Sequence, residues 1–327
     1  MTLSLDDAAR SRQRYFGSAV RFDQLEQEPE LRRRLLADCG SVTPEVHMKW
    51  DALNPSPDDW TFEGADDLAT FAAANALKLR GHTLLWDQST PAWAKTAMIR
   101  THDWALVAQF IRTVVARYAD HVDEWDVVNE PIDTDGLRAN TFLRAYGPAY
   151  VERSLHEARA ASARPRLLIN DYGFDYDNPV EEGRRRSFLR LLEDLKTRGA
   201  PLDGVGVQAH LDLTKGPLRP EILRPFFAEI AGMGLSIDIS ELDVKEGDIS
   251  RPTAERDRLV ADEVRRYLDI ALDEPAVRGV TTWGLSDRHS WLKAEGATGA
   301  ALNRGLPYDD NLQPKPMRDA LRSQLST

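Results

Sequence analysis

Short β-rich runs alternate with longer helical patterns along nearly the whole chain, and this alternation restricts the fold more than any other feature. The runs fall at residues 15–20, 41–43, 78–86, 122–130, 166–170, 202–210, 235–244 and 277–286. Between them, segments 66–75, 103–118, 142–163, 181–198, 221–233 and 254–272 carry apolar residues at helical spacing. In 103–118, for instance, Leu106, Phe110, Val114 and Val115 share one face. Strand–helix alternation means parallel strands joined by crossover helices. Eight such units in 327 residues predict an α/β chain, a single (β/α)8 TIM barrel over 1–327 with its site at the C-terminal ends of the strands. The rival, an open doubly wound sheet, normally opens with a glycine-rich phosphate loop, and no G-x-G-x-x-G or Walker pattern occurs. No linker or shift of composition marks a second domain, and an appended carbohydrate-binding module is not expected.

Charge and cysteine content narrow the function. A formal net charge of −11 is the wrong sign for nucleic acid and a poor match for an anionic membrane surface. Cys39 is the only cysteine, so an intramolecular disulfide and a four-cysteine zinc site are both excluded. No apolar run is long enough to span a bilayer. Residues 1–14 are polar and charged, without the apolar core of a signal peptide. The expectation is a cytoplasmic protein if Met1 is the natural start, and a secreted one if a leader preceded it. A monomer is the default assembly.

In a barrel, the ends of the β-rich runs converge on one rim. The second run leads into Glu45 and Lys49, the third into His82, Trp86 and Asp87, the fourth into Asn129 and Glu130, and the fifth into Asn170-Asp171-Tyr172. In the sixth, Gly206, Gln208 and His210 share one parity and hence one face; in the seventh, Ile237, Ile239 and Glu241 do. Trp283 ends the eighth, with Trp291 in the following loop. Taken singly, each has a plain structural explanation: a hydrogen-bonded core histidine, a packed tryptophan, a glutamate in an ion pair. Their convergence at eight strand ends favours sugar chemistry. Tryptophan faces stack on pyranose rings, amides and imidazoles bind hydroxyls, and two carboxylates flanking one bond are what glycosidic cleavage requires. Glu130 and Glu241, on opposite parts of the ring, supply that pair. A metal site from His82, His210 and Asp87 lacks any ligand spacing such as H-E-x-x-H, so neither metal nor cofactor is expected.

The segment Trp125-Asp126-Val127-Val128-Asn129-Glu130-Pro131 resembles the acid/base signature of glycoside hydrolase family 10, the retaining β-1,4-xylanase family. Ser240-Glu241-Leu242-Asp243-Val244 resembles its nucleophile signature. Residues 80–86, 170–172, 207–211 and 283–287 resemble further motifs of that family in the same order, and the similarity runs from about Tyr15 to Pro316. The resemblance implies a β-linked oligo- or polysaccharide substrate, with Glu130 as general acid/base and Glu241 as nucleophile. It implies that Asn129 binds the 2-hydroxyl at the cleavage point and that His210, hydrogen-bonded to Glu241, and Gln208 lie beside the same sugar. Glu45, Lys49, His82 and Trp86 would line the glycone side, Trp283 and Trp291 would wall it, Tyr172 would sit on the aglycone side, and Asp243 would support the nucleophile. In such a pair the ionised nucleophile keeps a proton on the acid until the glycosyl-enzyme forms, after which the same group serves as base toward water.

Two departures qualify the substrate. The family usually has Asn after the glutamate of the second strand, where this chain has Val46. It also tends to have Trp-His-Ser-Gln after the third, where this chain has Trp86-Asp87-Gln88-Ser89. Valine offers no hydrogen bond, and a substrate hydroxyl left unpaired costs about 1–3 kcal/mol. The leading expectation is a retaining xylanase acting on xylan or xylo-oligosaccharides. The alternatives are the same mechanism on another β-glycoside, such as a plant saponin, and a carbohydrate-binding barrel without catalysis.

Overall fold

The computed structural model describes residues 3–293 and 302–327. Among them, eight parallel strands close into a ring: β1 (Tyr15–Val20), β2 (Ser41–Pro44), β3 (Lys78–Gly81), β4 (Val122–Asn129), β5 (Arg166–Asp171), β6 (Gly204–Val207), β7 (Ser236–Lys245) and β8 (Val277–Thr282). Each pairs with the next in sequence, and β8 pairs with both β7 and β1, which closes the barrel. The helices expected between strands are present as Glu63–Ala74, Ala105–Arg117, Pro179–Thr197, Pro220–Gly232 and Thr253–Ala271. Their apolar faces cover the sheet's outer surface, where Trp125 is fully buried and packs against Gly81 of the neighbouring strand. A Cβ at Gly81 would collide with the Trp125 ring, so glycine there is what admits the tryptophan.

The lower barrel interior is charged. Arg80 of β3 donates to Asp126 (2.5 and 3.1 Å) and Glu124 (2.8 Å) of β4, while Arg166 of β5 reaches Glu124 (2.6 Å) and Asp238 of β7 (3.3 Å). The Tyr15 hydroxyl, from β1, donates to Glu124 and Asp238 at 3.1 and 3.0 Å. Partners on strands that are not neighbours must meet inside the ring, so this network ties five strands together. Burial pushes Asp238 up to about 6, aided by the Glu124 charge and opposed by the two arginines. Burial likewise opposes ionisation of Asp126, but Arg80 and His82 outweigh it and hold that carboxyl low.

Three local differences from the sequence reading have physical causes. Run 78–86 is a strand only to Gly81; beyond it Leu84 and Leu85 donate to Asp126 and Val127 carbonyls at 3.0 and 3.1 Å without regular register. Run 202–210 breaks after Val207, because Ala209 takes a left-handed conformation (φ 58°), and the chain resumes as His210–Asp212 against the end of β7. The shared parity assigned to Gln208 and His210 is therefore interrupted by that turn. Segment 142–163 is two helices, Thr141–Tyr146 and Tyr150–Ala161, separated at Gly147 (φ 69°) and Pro148. Helices Leu5–Arg10, Phe22–Gln27, Pro29–Asp38 and Ala92–Thr101 add to the expected set. No helix among the described residues is long and apolar enough to cross a membrane. Of the long loop expected after β8, residues 294–301 lie outside the described residues.

Candidate active site

Strand β4 delivers its last residue, Asn129, to the rim and then turns sharply at Glu130, whose backbone is left-handed (φ 55°). The Glu130 N–H donates to the Asn170 carbonyl at the end of β5, 2.8 Å away. Two residues on, the Ile132 N–H donates to Asp171 Oδ2 (2.8 Å), and Arg184 pairs with Asp171 Oδ1 (2.6 Å) while donating to the Ile132 and Tyr172 carbonyls. This clamp fixes the backbone on both sides of Glu130.

Glu241, near the end of β7, is held differently. Asn170 Nδ2 donates to its Oε1 at 2.6 Å, and His210 Nε2 lies 3.2 Å from its Oε2. His210 Nδ1 lies 2.8 Å from Asp243 Oδ1, whose other oxygen accepts from Trp291 Nε1 at 2.6 Å. Burial lowers the basicity of the imidazole, but Asp243 and Glu241 outweigh it and hold its pKa well above the ordinary range. Burial also works against the Glu241 carboxylate; the hydrogen bond from His210 and the nearby imidazoles prevail, so its pKa is lowered. Glu130 has only long contacts, 3.5 Å from Asn129 Nδ2 and 3.5 Å from Gln208 Nε2. One carboxylate is tightly ligated and the other is nearly free.

Asn170 was not among the expected site residues, yet it links the two halves. Its Nδ2 donates both to Asn129 Oδ1 (2.8 Å) and to Glu241, and its Oδ1 accepts from Ser240 Oγ (2.6 Å), which fixes the orientation of the amide. Gly206 on β6 leaves the room it occupies, since a Cβ there would collide with Asn170 Oδ1. The available signal was a fully buried polar residue at the end of an otherwise apolar strand.

These groups open on a cleft of about 520 Å³ at the C-terminal face. Glu45, Lys49, His82, Trp86, Asn129, Glu130, Tyr172, Gln208, His210, Glu241, Trp283 and Trp291 all line it, together with Gln88, Gly173 and Lys215, which the sequence reading did not single out. Lys49 Nζ sits 4.7 Å from the Trp86 ring and 6.0 Å from that of Trp283. Burial lowers its pKa against the pull of Glu241 and Glu45, and burial raises that of Glu45. His82 is held by Asp126 at 2.9 Å and meets Trp283 edge-on at 5.1 Å. Tyr172 lies between two guanidinium groups: Arg138 donates to its hydroxyl at 2.9 Å, and Arg184 stacks 4.3 Å from its ring. Among the described residues no cluster of three or more His, Cys, Asp or Glu is arranged to hold a metal ion.

The sequence model of glycosyl hydrolase family 10 matches residues 4–324. The chain belongs to glycosyl hydrolase family 10. Endo-1,4-beta-xylanase A of Fusarium oxysporum f. sp. lycopersici is 33% identical, with 92% of each chain covered. Endo-1,4-beta-xylanase A of Phanerodontia chrysosporium is 32% identical over 98% of this chain and 76% of its own. Among solved structures, xylanase 10B of Thermotoga petrophila in complex with xylobiose superposes with a TM-score of 0.89 at 29% identity, covering 99% of this chain and 98% of that one.

In this family 10 hydrolase neither departure from the usual motifs lines the cleft. Val46 is half-buried beside Glu45, and its carbonyl accepts from the Lys49 N–H at 3.1 Å. The neighbouring His47 is committed to the fold, its Nε2 accepting from the Phe22 N–H at 3.1 Å. The Asp87 carboxylate turns away from the cleft and accepts from the Thr141 N–H (3.0 Å) and Lys95 Nζ (3.3 Å).

Proposed function

We propose that this hydrolase cleaves β-1,4-xylosidic bonds with retention of configuration, Glu241 as nucleophile and Glu130 as acid/base. The asymmetry between the two carboxylates carries the division of roles. Glu241, ligated by Asn170 and His210 and held ionised, suits attack on an anomeric carbon. Glu130, with contacts no shorter than 3.5 Å, has a carboxyl free to exchange a proton with a leaving oxygen. In the first step a bond forms between Glu241 and the anomeric carbon while the glycosidic C–O bond breaks and Glu130 protonates the departing hydroxyl. In the second, water attacks the glycosyl-enzyme, Glu130 takes its proton, and Glu241 leaves as carboxylate. Asn129, fixed by Asn170, is placed to hydrogen-bond the sugar at the cleavage point.

The xylosidic substrate is supported by the relatives, which are endo-1,4-beta-xylanases, and by the xylobiose held by the Thermotoga petrophila enzyme. Val46 in place of the usual asparagine favours a second reading, the same chemistry on a different β-glycoside. Product profiles on xylotriose to xylohexaose, run beside aryl β-xylosides, cellobiosides and glucosides, separate the two. An NMR time course should show the β-anomer as the first product; the α-anomer appearing first would overturn the double-displacement assignment.

A further inference from the structure

The cleft contains one polar side chain that the mechanism does not use. Gln88 lines it from the short 3-10 turn Asp87–Ser89 and is exposed. The other amides and imidazoles of the lining are already engaged: His82 with Asp126, Asn129 with Asn170, Gln208 with Asn129, His210 with Asp243. No hydrogen bond joins the Gln88 carboxamide to any described residue, so its donor and acceptor both face the cleft uncommitted. Its neighbours in the turn are committed elsewhere. Ser89 is buried, and its hydroxyl points back to the Trp86 carbonyl at 3.4 Å.

Asp87 explains why the turn holds this shape. Its Oδ1 accepts from the Thr141 N–H, and its Oδ2 is 3.3 Å from Lys95 Nζ. One carboxylate thereby ties the turn to the start of helix Thr141–Tyr146 and to helix Ala92–Thr101. Burial raises the Asp87 pKa, but the Thr141 and Lys95 contacts outweigh it and keep the group ionised and bound. With residues 87 and 89 both anchored, residue 88 is left to project over the cleft beyond Trp86.

We propose that Gln88 is a specificity-determining residue that hydrogen-bonds a hydroxyl of the second sugar on the glycone side, and that Asp87 is a positioning residue acting through it. The proposal rests on the glycosidase reading above and assigns the hydroxyl contact that Val46 cannot make to a side chain reaching in from the next strand's loop. It also gives Asp87 a defined task, latching the turn without touching the sugar.

The test compares kcat/KM for an aryl β-xylobioside with that for the corresponding aryl β-xyloside, which lacks the second glycone sugar. In Gln88→Ala the xylobioside-to-xyloside ratio should fall about 3- to 10-fold, the loss of one neutral hydrogen bond. Asp87→Ala should lower the ratio similarly through KM, and Asp87→Asn, which keeps the acceptor for Thr141, should restore most of it. In the double variant Gln88→Ala/Asp87→Ala, the ratio should fall no further than in Gln88→Ala alone. An unchanged ratio in Gln88→Ala overturns the proposal, and additive losses in the double variant overturn the role of Asp87. Wild-type turnover of the two xylosides judges the substrate reading separately. If neither is cleaved, that reading falls, and the same ratio is taken on the aryl cellobioside and glucoside pair, where a fall still supports Gln88 and a constant ratio still overturns it.

Discussion

The Asn170 carboxamide donates to Glu241 across 2.6 Å while the same nitrogen donates to Asn129 across 2.8 Å. A single amide thus spaces the ligated carboxylate of β7 from the asparagine that precedes Glu130 on β4. Ser240 Oγ donates to the amide oxygen, so the group cannot flip without losing three contacts.

Removing that donor should cost about 1.5–3 kcal/mol, the range for hydrogen bonds to charged groups. Asn170→Ala is expected to lower kcat/KM about 10- to 150-fold, and Asn170→Asp, which sets a second carboxylate against Glu241, to lower it at least as much. Steady-state kinetics on an aryl xyloside measure both; activity within twofold of wild type in either variant would contradict the spacing role.

The two glutamates should separate by leaving group. Glu130→Gln is expected to lose about 10²–10⁴-fold on xylo-oligosaccharides, whose leaving oxygen needs a proton, and far less in the first step on an aryl glycoside with an acidic phenol. Glu241→Gln should lose turnover on both classes, because no leaving group compensates for a missing nucleophile. Equal losses on both substrate classes in Glu130→Gln would remove it as the acid.

His210 gives stability a pH dependence of defined sign. Its folded pKa is raised well above its usual 6.5, so the pairing with Asp243 and Glu241 contributes fully below about 6.5 and is lost as pH climbs through the raised value. Thermal unfolding between pH 6 and 9 should therefore fall more steeply for wild type than for His210→Gln, which carries no titrating proton at that position. Parallel curves would show that the imidazole is not the linked group.

Gly206→Ala places a methyl group against Asn170 Oδ1 and 2.8 Å from Arg80 Nη2. Overpacking of this kind costs about 1–3 kcal/mol. The denaturation midpoint should drop, and activity should fall at temperatures where the variant is still folded, because the displaced group is the amide that ligates Glu241. A midpoint shift with unaltered kinetics would mean that the strain relaxes away from Asn170.

Much of the barrel was legible because its strands are short apolar runs punctuated by helices of a different period, and both signals are local. Glu130 and Glu241 stood out for a related reason, as carboxylates at the ends of such runs. Breaks were harder to see. Nothing in Val207-Gln208-Ala209-His210 announces a left-handed alanine, since that turn is imposed by pairing His210 with Asp243 across the sheet. Asn170 was passed over because its importance lies in contacts to residues 41 and 71 positions away. Arg80, Glu124, Asp126, Arg166 and Asp238 were visible as charges inside apolar runs, but their mutual neutralisation exists only once the ring is closed.

That closure has a consequence for how the molecule comes apart. Asp126 binds Arg80 of the interior network and, through the same Oδ2, His82 of the cleft floor, at 3.1 and 2.9 Å. The keystone of the ring is thus also a foundation stone of the binding surface. A closed barrel with an unformed cleft floor has no independent existence, and in rising denaturant catalysis and tryptophan fluorescence should vanish along one superimposable curve.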